Sequence, residues 1–231
     1  MYERLSDLAY FRILVSDAEK IPLFEAAASL AQDEYPRLDL ENVLSTLEQH
    51  GRRLAERCRN LSTDLNRLQE TSRFFHHELG FAGNVNNYYD PDNSFVHKVL
   101  ESRRGIPITL AIIYIELART VGLDAEGVSF PGHFLIKINL HKGPVVLDPF
   151  TGLSLSKEDL FERLEPYRKS FGLTEDSEVP IGLFLQAATP KDILLRMLRN
   201  LREVYRQQGQ PEKVYKVVER ILVLAPETSP D

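Results

Sequence analysis

Cysteine is almost absent from this chain. Cys58 is the one thiol among 231 residues, which excludes an intramolecular disulfide and any zinc site built on cysteines. Long apolar runs are missing as well. The most apolar stretch, within "RRGIPITLAIIYIELART" at 103–120, is interrupted by Glu116 well short of a membrane span, so no membrane association is expected. The opening "MYERLSDLAYFRIL" carries early acids and no clean apolar core. No signal peptide is therefore expected, and a reducing cytoplasm is the expected location. There is no phosphate-binding loop, dinucleotide fingerprint or HExxH motif. Nor is positive charge in excess: the net charge of −6 gives no reason to expect nucleic acid.

What is present is an ordinary globular composition, 43% hydrophobic and 27% charged, long enough for one large domain or two modest ones. The charge is uneven. Residues 190–220 hold eight Lys/Arg and four Asp/Glu, which reads as a solvated helix face or as a surface for an acidic partner. The histidines do not form a chelating pattern, and the adjacent pair His76–His77 diverges on a helix. "DPDNSFVHKVLE" places Asp90, Asp92, Ser94 and Glu101 at calcium-loop spacing, yet Phe95 stands where that loop needs glycine. No metal and no other cofactor is expected. Cys58, in mid-helix, reads as a small buried core residue.

The pattern of elements is α+β. Residues 1–78 read as helices; Leu40, Val43, Leu44, Leu47, Leu54 and Cys58 lie at mostly helical spacing, and Gly51 weakens that helix without ending it. A second helix is expected over 64–78 with Asp64 as its cap. A turn-rich loop, "GFAGNVNNYYDPDNS" at 80–94, leads to a short helix over about 94–103 capped by Asn93 or Ser94. Pro107 suits the first position of the apolar helix, and Gly122 its termination.

Three short strands follow in "AEGVSF", "HFLIKINL" and "PVVLDPF", the last two joined as a hairpin. An antiparallel sheet packed on the 107–121 helix is expected. "LSKEDLFERL" opens a further helix with Ser156 and Asp159 as a near capping box, and 172–188 reads as irregular. The C-terminal segment is a helical hairpin. Leu195, Leu198, Leu201, Tyr205, Gly209, Val214, Val218, Ile221 and Pro226 match a tetratricopeptide repeat of about 34 residues. A lone hairpin of this kind must pack on the main domain or on something outside it.

Two places carry candidate chemistry. His133 follows a Phe-Pro-Gly turn and is expected to open a strand, while Asp148 ends the neighbouring one. A hydrogen bond between them would fix the imidazole tautomer, as a base and its orienting partner require; a bond that merely ties two strands is the simpler reading. The second place is the loop, where Asn87, Tyr88, Asp90 and Asn93 bring polar groups beside aromatic faces. Arg103 lies one short helix away and could neutralise Asp90 or bind a ligand carboxylate. An internally bonded turn is the alternative.

The order of a Gly-x-x helix entry, a His-led strand and an Asp-Pro strand end resembles the transglutaminase-like proteins. "GFAGNVNNYYDPDNS", "VLESRRGIPITLAIIYIELARTVGL", "GVSFPGHFLIKI" and "LDPF" resemble one branch, the bacterial SirB-type transglutaminase-like/tetratricopeptide family. The resemblance implies a papain-like core of a central helix on a small antiparallel sheet. It divides the chain into an N-terminal helical region (1–78), the core (79–188) and a tetratricopeptide-like hairpin (189–231). It also implies a Cys-His-Asp triad in which His133 and Asp148 match the last two members. The cysteine's place, two residues after Gly105, holds Pro107, and this branch lacks the cysteine too. Thr109 is the nearest hydroxyl, displaced by about 200° around the helix, and a weak candidate nucleophile.

The expected function is therefore a peptide- or protein-binding module without a nucleophile, with the hairpin as a second interaction surface. The alternatives are a hydrolase or acyl transferase using His133 and Asp148 with an atypical nucleophile or activated water, and a structural subunit with a vestigial cleft.

Overall fold

The computed structural model describes residues 6–172 and 180–227. The fold is α+β. Four helices, α1 (Asp7–Leu14), α2 (Leu23–Ser29), α3 (Leu40–Cys58) and α4 (Asp64–Ser72), precede the sheet region. Thr63, not Asp64, caps α4 by accepting from the Asn66 amide, and the helix passes into a π-helical turn at Arg73–Glu78 instead of continuing regularly to 78. Gly51 has a packing reason. A Cβ there would lie 2.9 Å from Thr120 Cγ2, so glycine lets α3 press on the central helix α6 (Pro107–Thr120).

The helix expected over 94–103 is shorter. Asp90 caps a 3-10 turn at Pro91–Ser94, and α5 (Val96–Ser102) then starts at Phe95 without a side-chain cap. Asn93 is diverted: its amide donates to the carbonyls of Asn87 and Tyr88. Two short parallel strands, β1 (Ala82–Gly83) and β2 (Arg104–Gly105), bring the loop back beside the entry of α6.

Because α6 is apolar on every side it must be covered on every side. All its residues from Pro107 to Ile115 are buried, as are Leu117 and Ala118. Helices cover part of it; the rest meets β3 (Ala125–Val128) and β4 (Leu135–Leu140). With β5 (Gly143–Leu147) and β6 (Ser154–Leu155) these form an antiparallel sheet in the order β3-β4-β5-β6. β4 and β5 make the expected hairpin, with Ile136 opposite Leu147 and Leu140 opposite Gly143. α7 (Lys157–Leu164) follows, held by a full capping box between Ser156 and Asp159. Of the 172–188 stretch read as irregular, 173–179 lie outside the described residues; Ile181–Leu185 form a 3-10 turn, and Ala187 bridges to Val128.

The C-terminal hairpin is α8 (Pro190–Gln207) and α9 (Pro211–Leu224). It packs on the rest of the chain. Ile193, Leu194, Leu198, Leu201, Tyr205, Val217, Ile221 and Leu224 belong to the same apolar cluster as α2, α3 and α6. Electrostatics close the contact. Arg220, only 1% exposed, makes a two-pronged bond to Asp33 and lies over the Phe11 ring, while Lys213 pairs with Glu34 and Lys216 donates to the Asp33 carbonyl. Part of the basic excess of 190–220 is thus used within the chain, against an acidic pair 187 and 179 residues earlier.

Candidate functional site

His133 sits in a turn, two residues before β4 begins, and does not open the strand itself. The turn closes through the His133 amide, which donates to the Phe130 carbonyl at 3.1 Å. Gly132 is required there twice over. Its φ is +68°, and a Cβ would fall 1.9 Å from the Tyr167 hydroxyl oxygen. Asp148 follows β5 directly, so the β4–β5 register carries both side chains to one end of the hairpin.

There His133 Nε2 lies 2.9 Å from Asp148 Oδ1. The carboxylate is 1% exposed and fully engaged: Oδ1 also accepts from the Phe150 amide at 2.9 Å, and Oδ2 from Arg163 Nη2 at 2.9 Å. Burial by itself would raise the Asp148 pKa. The hydrogen bond and charge of His133, the Phe150 amide and the Arg163 guanidinium outweigh it and hold the carboxyl down at about 2. An ionised carboxylate can only accept, so Nε2 carries the imidazole proton. Nδ1 of the neutral ring is then an acceptor, and among the described residues it has no partner. The side chain is 21% exposed.

The start of α6 is different. Pro107 and Ile108 are buried, and Thr109 is fully buried with its hydroxyl directed at the Asn93 carbonyl (2.7 Å) and the Ile106 carbonyl (3.0 Å). This is local hydrogen bonding, which leaves the weak candidate nucleophile engaged.

The loop residues divide. Asn87 donates to Asp90 Oδ2, Asp90 caps the Pro91–Ser94 turn through the Asp92 amide, and buried Asn93 joins Asn84 to the Asn87 and Tyr88 carbonyls. These three form the internally bonded turn. Tyr88 and Tyr89, by contrast, are 43% and 66% exposed. Tyr88 lies on the Phe150 side of the candidate site, its ring centroid 6.0 Å from that of Phe150, whose amide bonds Asp148. Arg103 does not join them. Its left-handed backbone (φ 61°) turns it onto the Phe81 ring, 4.8 Å away, where its charge helps depress the pKa of His50. Neutralisation of Asp90, one of the two roles open to Arg103, is not seen; the guanidinium lies over Phe81 instead.

Several neighbours were not picked out from the sequence. Arg163 supplies the second anchor of Asp148. Arg196 of α8 bonds the His133 carbonyl. Tyr167 packs on Gly132, and His76, kept below its ordinary pKa chiefly by burial, is close enough to feel the charge of Asp148. A signal for the two arginines existed. Each stands seven residues after a capping-box residue, Ser156 or Thr189, which places it two turns on along the same face.

Residues 41–199, which contain the α6 entry, His133 and Asp148, match the family described as the transglutaminase-like superfamily. The chain belongs to that superfamily. Relatives named UPF0162 proteins match this transglutaminase-like chain along most of its length. One from Xylella fastidiosa is 35% identical over 227 residues, 98% of this chain and 80% of its own length. One from Pseudomonas aeruginosa is 30% identical over 204 residues, 88% of this chain and 72% of its own length. Human F-box only protein 21 is 32% identical over 138 residues, 57% of this chain but 20% of that protein. No solved structure matches.

Proposed function

We propose that this transglutaminase-like protein is a non-catalytic module that binds an extended peptide or protein segment at the His133–Asp148 pair. The observation that carries the reading is an imidazole with an intact orienting carboxylate and an unpartnered Nδ1, in a chain whose nucleophile position is a buried proline. An acceptor nitrogen suits a main-chain N–H, and the exposed Tyr88 ring, packed on Phe150, suits an apolar or aromatic side chain of the same ligand. Among the described residues no helix is long and apolar enough to cross a membrane, and a buried Cys58 whose pKa is raised, mainly by burial, fits a reducing cytoplasm.

The hairpin is the second part of the proposal. Buried Leu195, Leu198, Leu201, Tyr205 and Ile221, and the Gly209 turn, agree with a tetratricopeptide-like unit. Its inner face is occupied by the core, so a partner would meet the outer face of α9, where Tyr215 and Leu222 are exposed. The residues beyond 189 then act as a docked extension of the core.

The test is a peptide library screened against the wild type, His133→Ala and Tyr88→Ala, each verified as folded. Peptides held by the wild type are expected to bind at least about tenfold more weakly to both variants, the effect of one lost buried contact. A library with no ligand, or ligands retained by both variants, overturns the reading. The catalytic alternative rests on the same Nδ1, which is placed as a base for water. Turnover of an activated ester that disappears in His133→Ala would favour it.

A further inference from the structure

The turn that carries His133 is flanked by buried Phe130 and Phe134. It is also held from α8. Arg196 Nη2 donates to the His133 carbonyl at 2.8 Å, and Nη1 to the Phe130 carbonyl at 3.3 Å and Ser129 Oγ at 3.2 Å. The guanidinium lies 5.5 Å from the Phe134 ring centroid. One side chain therefore ties the residues on both sides of Pro131–Gly132 and braces the residue after His133. A planar guanidinium can bind diverging acceptors at once in a way an ammonium cannot.

The position of Arg196 is itself fixed. Ala187 bridges to Val128, the Ala188 amide donates to the Gly127 carbonyl at 2.8 Å, and the Thr189–Asp192 capping box starts α8 immediately afterwards. No slack separates the sheet edge from the arginine. The other end of α8 approaches the loop: Gln208 Nε2 lies 3.5 Å from the Tyr89 carbonyl, and the helix packs on the Pro91–Ser94 turn. One rigid helix thus touches both the His133 turn and the Tyr88–Tyr89 loop.

We infer that Arg196 is the positioning residue of the candidate site, and that α8 forms its back wall, setting the direction of His133 Nδ1 and its spacing from the tyrosine loop. This rests on the reading of the His133–Asp148 pair as a ligand site and extends it: the hairpin belongs to that site, so a partner seated on α9 would be felt at His133 through α8 and Arg196.

The test reads the ring directly in the full chain and needs no ligand. Nitrogen and proton NMR of His133 reports the tautomer and the exchange of the Nε2 proton held by Asp148. Arg196→Met is expected to speed that exchange about tenfold and to populate the second tautomer, the change expected for loss of one hydrogen bond by a charged donor. Arg196→Lys loses the fork and keeps one donor, and is expected to speed exchange about threefold. Exposed Arg199→Met on the same helix is the control and should change nothing. Unchanged exchange in folded Arg196→Met overturns the inference, as does equal acceleration in Arg199→Met. Should Arg196→Met not fold, the lysine variant decides: acceleration of about threefold supports the inference, and unchanged exchange overturns it. Peptide binding can fail while the ring responds, and the ring can stay silent while peptides bind, so the two failures are distinct.

Discussion

At the start of α6, Pro107, Ile108 and Thr109 are buried and the threonine hydroxyl is spent on two carbonyls. In the turn before β4, His133 is partly exposed and keeps one ring nitrogen without a partner among the described residues, although Asp148 beneath it is saturated. In the function proposed above, the two places are the two halves of a site without a nucleophile. The first half is packing. The other retains a polar network whose stabilising bonds all point inward except at Nδ1. Function is therefore sought where a satisfied network leaves one atom open, not where a helix start merely has the right topology.

Four variants press on that contrast. Ile112→Ala, in the fully buried middle of α6, is expected to cost about 3 kcal/mol by leaving a cavity, with the His133 ring signals unchanged; chemical denaturation and NMR check both, and a disturbed ring would show that the halves are coupled through the core. Next is acid sensitivity. Buried His50 has its pKa lowered to about 4 by burial, then by Arg103 and Arg53, and neither ring nitrogen has a partner. The unfolded chain binds the His50 proton first, below its ordinary 6.5, so stability falls as pH drops from about 6.5 toward 4, by about 3 kcal/mol in all. His50→Leu should flatten that limb of a pH–stability curve.

Asp148→Asn tests the saturated network. It leaves Arg163 unpaired and weakens the His133 bond, at a cost of about 2 kcal/mol near neutrality. Because the Asp148 pKa lies at about 2 in the fold against 3.8 ordinarily, its contribution is present above pH 4 and lost as pH falls through 2; the variant should lack that lower limb. The smallest effect belongs to Thr109→Val, about 1 kcal/mol from two unmet carbonyls, with peptide binding unaltered. Lost binding in a stable Thr109→Val would reopen the α6 entry as part of the site.

Much of this architecture is legible in the sequence because its signals are local. The apolar helix with Pro107 at its first position, the β4–β5 hairpin around His141–Lys142, and the Ser156 and Thr189 capping residues all follow from periodicity and turn chemistry. So does the approach of His133 to Asp148, since a two-residue hairpin turn fixes the register of what flanks it. The misplaced boundaries are those where another partner competes. Asn93 leaves its expected capping role for the Asn87 and Tyr88 carbonyls. His133 stops short of the strand, its amide closing a turn on the Phe130 carbonyl and its own carbonyl taken by Arg196. Arg103 goes to Phe81 because β1 and β2 turn the chain there.

The amino-acid order alone settles that no thiol chemistry is available at the helix entry and that a His–Asp pair lies at one end of a hairpin; these depend on residue identity and on contacts a few residues apart. Which nitrogen of His133 stays open, which arginines frame it, and that the C-terminal hairpin is docked against Asp33 and Glu34 depend on groups brought together from far along the chain. Such contacts form only when burial of the shared core offsets the entropy of closing long loops, and no local pattern encodes them.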